Sequence, residues 1–240
     1  MRPIARICLL LFACASVPLP FHAQTQPLRN TVSVHELSIP PRAAHCFQQG
    51  LELLAKNDAE GSLLHFQRAI SEFSGYFEAY DKLGLAYLKL WRVPEAEQAY
   101  RKSVELSGEH YAHSLFALGA ILDDQEKFAE AESVVRKGLN VEPDSWRGHY
   151  YLGLALFGMS RFEEAEKNAL EAVRAKLDFS EAHLLLAHIH GGQRNYPALL
   201  NDLDEYLRLA PDGKASAGAK ALREKVQHVL DEAESTSALR

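Results

Sequence analysis

The sequence has little glycine and proline and shows no long run of like charges. It contains 14 glycines and 10 prolines among 240 residues, too few for a mostly disordered chain. Basic residues do not outnumber acidic ones, and the formal net charge is −6. A general nucleic-acid binder needs excess basic charge to replace phosphate counterions, so the charge argues against that class. The composition, 47% hydrophobic and 24% charged, is typical of a soluble protein with a sizeable core.

Cysteine is scarce as well, since the chain has only Cys8, Cys14 and Cys46. The first two lie in the leader described below, which leaves Cys46 alone in the mature chain. A single cysteine forms no intramolecular disulfide, and this excludes a disulfide-stabilised fold. Cys46 occupies an apolar position, where we expect it to pack as a small hydrophobic side chain.

Catalytic motifs are also absent. The sequence has no glycine-rich phosphate loop, no G-x-S-x-G elbow and no C-x-x-C pair. His35-Glu36 begins like a zinc-protease motif, but Ile39 stands where the second histidine is required. We therefore expect no catalytic residues, no cofactor and no metal site.

The 11 histidines are interpreted mainly as packing residues. His183 and His190 share a helical face, and in the repeat pattern below they fall at positions of large packing residues, as does His149. An alternative for His110 and His113, one helical turn apart and beside Glu109, is a weak metal site, although a metal needs three or four converging ligands.

The first 23 residues have the pattern of a secretory signal peptide. Arg2 and Arg6 precede an apolar stretch from 7 to 15, and no acidic residue occurs before Glu36. The apolar stretch is too short to span a bilayer as a helix. Cleavage after Ala15 and cleavage after Ala23 both fit.

A different interpretation of the leader takes Leu11-Phe12-Ala13-Cys14 as a bacterial lipoprotein box. In that interpretation Cys14 is lipidated and anchors the protein to a membrane. The segment that follows, residues 24–42, is predicted to be an extended linker. Val32, Val34 and Leu37 would form a short extended stretch, which Pro40-Pro41 ends.

From residue 43 onward, small residues recur at a fixed interval. One series is Gly50, Gly84, Gly119, Gly153 and Ala187, at spacings of 34, 35, 34 and 34 residues. Two further series with the same spacings follow, Ser62, Ala96, Ala131, Ala165 and Leu199, and Ala69, Ser103, Gly138, Ala172 and Tyr206. This period predicts repeated pairs of antiparallel helices, in which small residues let neighbouring helices approach closely.

The turns inside the pairs are expected where loop-forming residues interrupt the pattern. The four predicted turns are Lys56–Asp58, Leu90–Arg92, Asp123–Gln125 and Gly191–Gln193.

Three segments resemble the tetratricopeptide repeat (TPR) family, in particular its exported bacterial members: YDKLGLAYLKLWRVPEAEQAY (80–100), LFALGAILDDQEKFAEAESVVRKGLNVEP (115–143) and HYYLGLALFGMSRFEEAEKNALEAV (149–173). The resemblance implies an all-α, right-handed superhelical solenoid. Five repeats would span 43–76, 77–111, 112–145, 146–179 and 180–213. In residues 214–240, a capping helix from Ala217 to Leu230, with Ala221, Leu222, Val226, Val229 and Leu230 on its apolar side, would precede a frayed tail.

In this family the first helix of each repeat lines a concave groove that binds partners, and the resemblance implies the same here. Carried over residue by residue, the candidate groove residues include Asp81 and His113 together with the following set: Phe47, Leu51, Lys82, Leu85, Phe116, Tyr150, Tyr151, Phe157, Leu184 and His188. The alternative for several of them is ordinary packing between helices. Apolar side chains at Phe47, Leu51 and Leu85 argue against the basic clamp with which some members hold a C-terminal carboxylate.

The resulting hypothesis is an exported scaffold or adaptor, periplasmic or secreted, that binds a peptide or helix of a protein partner. It would be a monomer or a weak homo-oligomer, bind no nucleic acid, and contact a membrane only if Cys14 is lipidated. The alternative is a lipid-anchored envelope assembly factor, similar to pilotins or outer-membrane assembly lipoproteins.

Overall fold

The computed structural model describes residues 34–238, and within them the regular structure is entirely helical. Twelve α-helices occur in this part of the chain: α1 (Val34–Ser38), α2 (Pro41–Ala55), α3 (Ala59–Glu72), α4 (Phe77–Lys89), α5 (Val93–Leu106), α6 (Ala112–Asp124), α7 (Phe128–Val141), α8 (Trp146–Gly158), α9 (Phe162–Ala175), α10 (Ser180–Gly192), α11 (Tyr196–Leu209) and α12 (Ser216–Ala238). The all-α prediction is confirmed.

The chain divides into two compact units. The N-terminal unit, Met1–Asp124, contains α1 to α6, and the C-terminal unit, Gln125–Arg240, contains α7 to α12. In the N-terminal unit α2 packs on α3, α3 on α4, α4 on α5 and α5 on α6. In the C-terminal unit the same sequential packing runs from α7 to α12. Within the two units, helices joined by three-residue turns form the predicted antiparallel pairs α2–α3, α4–α5, α8–α9 and α10–α11.

Close approach within each pair depends on the small residues that set the sequence period. A Cβ atom added to Gly50 would lie 2.5 Å from the Phe66 ring, and one added to Gly84 would lie 2.8 Å from the Tyr100 ring. Phe66 and Tyr100 are both fully buried. The first helix of each of these pairs therefore meets its partner across a site that has no room for a side chain.

The second helices carry the other two small-residue series, and these face inward. They are buried in every repeat: Ser62, Ala69, Ala96, Ser103, Ala131, Gly138, Ala165 and Ala172. In the last repeat the larger Leu199 and Tyr206 are buried against α12 instead.

Each pair is closed by a turn whose central residue has a left-handed backbone. These residues are Asn57, Trp91, Glu126, Ser160 and Arg194, with φ between 59° and 61°. In the first turn, the N–H of Asn57 bonds the Leu54 carbonyl and the N–H of Asp58 bonds the Leu53 carbonyl, which is the Schellman arrangement that caps a helix C-terminus. None of the five is glycine, although glycine adopts this conformation most easily.

Two of the four predicted turns are wrong in position. Asp123–Gln125 was expected to form the third turn, but α6 continues to Asp124 and the left-handed residue is Glu126. Gly191 and Gly192 remain inside α10, and the fifth turn is centred on Arg194. The error has a physical reason, because loop-forming side chains can still occupy the last helical positions, and each turn lies two residues later than these side chains suggested.

The segment before the first repeat differs from the expected extended linker. Residues 34–38 form α1, so the extended stretch predicted there is wrong, and α2 begins at Pro41. Pro40 is extended, with φ −63° and ψ 144°, as the following proline requires. Cys46 packs half-buried beside Ala43 and Tyr76, as expected. The predicted leader, Cys14 and residues 24–33 lie outside the described residues.

The C-terminal helix α12 packs on α11 through Ala219 and Val226, with Leu222 and Leu230 beside them. Two residues assigned to its apolar side, Ala221 and Val229, are exposed instead. The helix also continues past Leu230 to Ala238, because no proline or glycine interrupts DEAESTSA. Between residues 34 and 238, no helix combines the length and apolar character needed to cross a membrane.

The packing at Gly84 predicts the effect of adding one methyl group. Gly84→Ala gains helix propensity of about 1 kcal/mol, but overpacking against the buried Tyr100 ring costs roughly 1–3 kcal/mol. We expect a net loss of about 1 kcal/mol of unfolding free energy, measured by denaturant titration. The matched control is Gly218→Ala, because a Cβ added to Gly218 in α12 meets nothing within 4 Å. The control should be neutral or stabilising, and equal effects at both positions would contradict the packing argument.

Candidate partner-binding surfaces

Four predicted groove residues on α2 and α4 of the N-terminal unit are partly accessible. Phe47 and Leu51 on α2 are half-buried, and both pack against the core formed by α3 and α4. The Phe47 ring lies 4.9 Å from the Tyr76 ring, which fixes its position. Lys82 and Leu85 on α4 are also half-buried. We call Phe47, Leu51, Lys82 and Leu85 the N-terminal patch.

The C-terminal unit contributes two partly accessible residues, Phe157 on α8 and His188 on α10, which we call the C-terminal patch. Their ring centroids are 6.3 Å apart, and Phe157 also lies 5.9 Å from Phe162. Burial lowers the pKa of His188, outweighing the opposing effect of its contact with the Leu184 backbone. His188 is therefore uncharged near neutral pH, and the C-terminal patch presents an aromatic, uncharged surface.

Four predicted groove residues are interior packing residues, which corrects their assignment as accessible anchors. Phe116 and Tyr150 are each 3% exposed, Tyr151 is 6% exposed and Leu184 is 8% exposed. The Tyr150 ring packs edge-on against Phe179 at 4.8 Å, within the C-terminal unit. A neighbouring position on a helix points about 100° away, so a groove position and an interior position are easily confused in the sequence.

Asp81 forms a buried polar network that the sequence did not reveal. Its side chain is fully buried on α4, although it was assigned to the groove. One carboxylate oxygen accepts hydrogen bonds from His113 Nδ1 and Ser114 Oγ, both at 2.7 Å, and the other pairs with Lys82 Nζ at 2.9 Å. The Ser114 hydroxyl is in turn 2.8 Å from that of Ser103. The network ties α4 to α5 and α6.

The network also sets the charge of Asp81. Burial alone would raise the pKa of this carboxyl, but the hydrogen bond and charge of His113, the charge of Lys82 and the Ser114 hydrogen bond together lower it. Asp81 is therefore ionised throughout the physiological range. Because the carboxylate only accepts hydrogen bonds, it holds the proton of His113 on Nδ1 and directs Nε2 away from itself. His113 is partly exposed and lies beside Tyr111, whose ring is 6.1 Å away.

Two of the three histidines predicted to pack, His149 and His190, have a polar partner. His149 Nδ1 is 3.1 Å from Asn168 Oδ1, and buried His190 has its Nδ1 2.6 Å from Asp202 Oδ2. Burial raises the pKa of Asp202, and its hydrogen bond with His190 acts in the opposite direction. Each pair joins the first and the second helix of one repeat, across 19 residues for His149 and 12 residues for His190.

Within residues 34–238, no three His, Cys, Asp or Glu side chains are arranged to hold a metal ion. The alternative metal site at His110 and His113 is therefore not formed among these residues.

Comparison with known proteins identifies the repeat in two blocks. The family profile described as tetratricopeptide repeat matches residues 47–110 and 116–176, together more than half of the chain. The human protein O-mannosyl-transferase TMTC1 is 27% identical over 129 residues, which are 54% of this chain and 14% of that protein. The chain thus spans only a small part of that relative.

Solved structures show the same fold. A structure of pilF from Pseudomonas aeruginosa superposes with a TM-score of 0.68 at 18% identity, over 82% of this chain and 88% of that chain. YrrB, described as a TPR protein with an unusual peptide-binding site, superposes with a TM-score of 0.60 at 18% identity, over 75% and 92% of the two chains.

The Asp81 network predicts a pH-dependent contribution to stability. The pKa of Asp81 is lower in the folded chain than the value of about 3.9 in an unfolded one. Its stabilising effect is therefore complete above that range and is lost as the pH falls through the folded pKa. At pH 7, Asp81→Asn should lower the unfolding free energy by about 3 kcal/mol, because it removes one member of a buried charged network.

The difference between Asp81→Asn and the unmodified protein should shrink as the pH approaches 3, as followed by thermal and denaturant unfolding. Asp144→Asn, at an exposed loop position, is the control and should change stability by less than about 0.5 kcal/mol. If Asp81→Asn lowered the unfolding free energy equally at pH 7 and near pH 3, ionised Asp81 would be ruled out as the source of the stabilisation.

Proposed function

The chain belongs to the tetratricopeptide repeat family, and on that premise we propose that it acts as a protein–protein interaction scaffold. The proposed ligand is a peptide segment or helix of a partner, bound along the first helices of the repeats. One observation carries the proposal: partly accessible apolar and aromatic side chains occur on these helices in both units, as the N-terminal and C-terminal patches.

The chemistry of the patches favours an apolar ligand. Phe157 and His188 offer uncharged rings, and Phe47, Leu51 and Leu85 offer apolar surface. The Lys82 ammonium is already paired with Asp81, which leaves it little tendency to hold an anionic ligand. Rigid aromatic anchors bind at a low entropic cost, a common arrangement in peptide-binding grooves. The peptide-binding site named for YrrB supports this ligand class by analogy of fold.

Selection from a random peptide display library tests the proposal and does not require the identity of the partner. Selected peptides should bind saturably, and Phe157→Ala should weaken their binding about tenfold or more, as expected for an aromatic anchor. The matched control is Leu170→Ala, because Leu170 is 39% exposed but lies on α9, a second helix. Binding is measured by fluorescence anisotropy and helicity by circular dichroism. The same measurement is made on Phe47→Ala and Leu85→Ala. If all three variants kept their helicity and bound the peptides with unchanged affinity, binding at the patches would be refuted.

Export is a separate part of the proposal and rests on the leader in the sequence. We propose a periplasmic or secreted location, supported by Arg2 and Arg6, the apolar stretch that follows and the absence of acidic residues before Glu36. The second candidate, a lipid-anchored envelope assembly factor, is supported by Cys14 at the end of Leu11-Phe12-Ala13-Cys14.

Intact-mass measurement of the mature protein distinguishes the two candidates. A mature chain starting at Ser16 or Gln24 is expected for the exported scaffold. A chain that starts at Cys14 and carries the additional mass of acyl chains would instead support the lipid-anchored assembly factor. A mature protein that keeps Met1 and the whole leader would contradict export in either form.

A further inference from the structure

Three aromatic rings and one carboxylate form a pocket where α3 passes into α4. The rings belong to Phe73, Tyr76 and Phe77, and the carboxylate to Glu78 in the first turn of α4. We call this set the α1 pocket, because its occupant is His35, a residue of α1. The pocket shares no residue with the two patches described above, although its Tyr76 ring lies 4.9 Å from the Phe47 ring of the N-terminal patch.

His35 is held in the α1 pocket by stacking and by a polar contact. Its imidazole stacks on Phe77 with a centroid distance of 4.4 Å and an interplanar angle of 27°, and it lies 5.9 Å from Phe73. Its Nε2 is 2.9 Å from Glu78 Oε2. An ionised carboxylate has no proton to donate, so this nitrogen donates the hydrogen bond. The side chains of His35 and Glu78 keep 25% and 23% exposure, so solvent reaches the contact.

His35 is the described α1 side chain that contacts the pocket, and Ile39, one residue after α1, packs beside Ala43 and Tyr76. A five-residue helix is too short to be stable in water without external contacts. Of the α1 side chains that the structure describes, Leu37 is 75% exposed and Ser38 bonds only back to the His35 carbonyl. Among the described side chains of α1, it is therefore His35 that packs against the α1 pocket.

The pocket suits a flat, cationic group better than it suits an apolar one. Aromatic faces attract cations, and a carboxylate adjacent to them pairs with N–H donors. The pKa of Tyr76 is raised to about 12, chiefly by burial and in addition by the negative charge of Glu78. The charge of Glu78 therefore acts on the rings of the pocket. The same chain already packs guanidinium groups on rings elsewhere: Arg92 lies 4.7 Å from the Tyr87 ring centroid and Arg147 lies 4.4 Å from that of Trp146.

We propose that the α1 pocket is a recognition site for the guanidinium of an arginine in a partner peptide, and that α1 is a resident segment which this arginine displaces. Arginine is planar and permanently charged, and it can form two parallel hydrogen bonds to the Glu78 carboxylate, whereas His35 forms one. An intramolecular occupant acts at high effective concentration, so α1 raises the affinity threshold that an incoming peptide must exceed.

The first experiment measures how firmly α1 is held in the whole protein. The heteronuclear {1H}–15N NOE of residues 34–38 reports motion faster than nanoseconds. The segment should be ordered in the unmodified protein and in His35→Arg, and it should become mobile in His35→Ala. Leu37→Ala is the matched control on the same helix and should leave the NOE unchanged. Equal order in His35→Ala and the unmodified protein would overturn the proposal.

The second experiment tests recognition in trans with acetyl-arginine-amide as the probe. Phe and Tyr ring resonances are followed during titration of His35→Ala, which has an empty pocket. Saturable shifts of Phe73, Tyr76 and Phe77 are expected, with at least fivefold weaker binding to the unmodified protein because His35 competes. Glu78→Gln added to His35→Ala should abolish the shifts, and acetyl-leucine-amide should cause none.

Each arm of the titration has an outcome that contradicts the proposal. Equal affinity for His35→Ala and the unmodified protein would mean that α1 does not compete for the site. Equal shifts with the leucine probe would mean that the pocket is not selective for a guanidinium. These results can be told apart from peptide binding at the N-terminal and C-terminal patches, because the substituted residues, His35 and Glu78, belong to neither patch and neither probe is a peptide.

Discussion

Close contact between paired helices is the constraint on which the rest of the structure depends. At Gly50 and Gly84 the ring of a second-helix residue occupies the space that a Cβ atom would need. These two pairs approach so closely because that atom is missing, and the apolar faces are buried once a pair has formed. The accessible first-helix positions follow from this geometry, since the face that does not meet the partner helix is left for contact with ligands.

The polar interior adds a second level of organisation. Asp81, His113 and Ser114 connect consecutive repeats by direct hydrogen bonds, whereas His190 and Asp202 connect two helices of one repeat. Buried charges are costly unless their hydrogen bonds are complete, so such contacts restrict the relative rotation of the helices more strictly than apolar contacts do. In the N-terminal unit this restriction also fixes His113, the partly exposed imidazole beside Tyr111.

The sequence predicted those features of the fold whose determining interaction recurs in each repeat. The 34- and 35-residue spacing of small residues predicted the helix pairs, because every pair solves the same packing problem. Groove positions were harder to assign: Tyr150 and Tyr151 are interior, because a shift of one residue along a helix exchanges an interior position and a groove position. The contact between Asp81 and His113 joins residues 32 positions apart and does not recur with the repeat, so the periodicity of the sequence could not predict it. The docking of His35 on Phe77 was missed because a linker rich in turn formers was interpreted as extended.

The five left-handed turn residues have a consequence for how this protein can change over evolutionary time. Each of Asn57, Trp91, Glu126, Ser160 and Arg194 holds a backbone conformation that glycine adopts more easily. Each of these five positions is therefore a separate reserve of stability, which one substitution by glycine in an exposed loop can reach. A lineage that acquires a destabilising but useful change on a binding face can compensate for it at a distant turn. The repeat architecture thus leaves room for new binding specificities without rebuilding its interior.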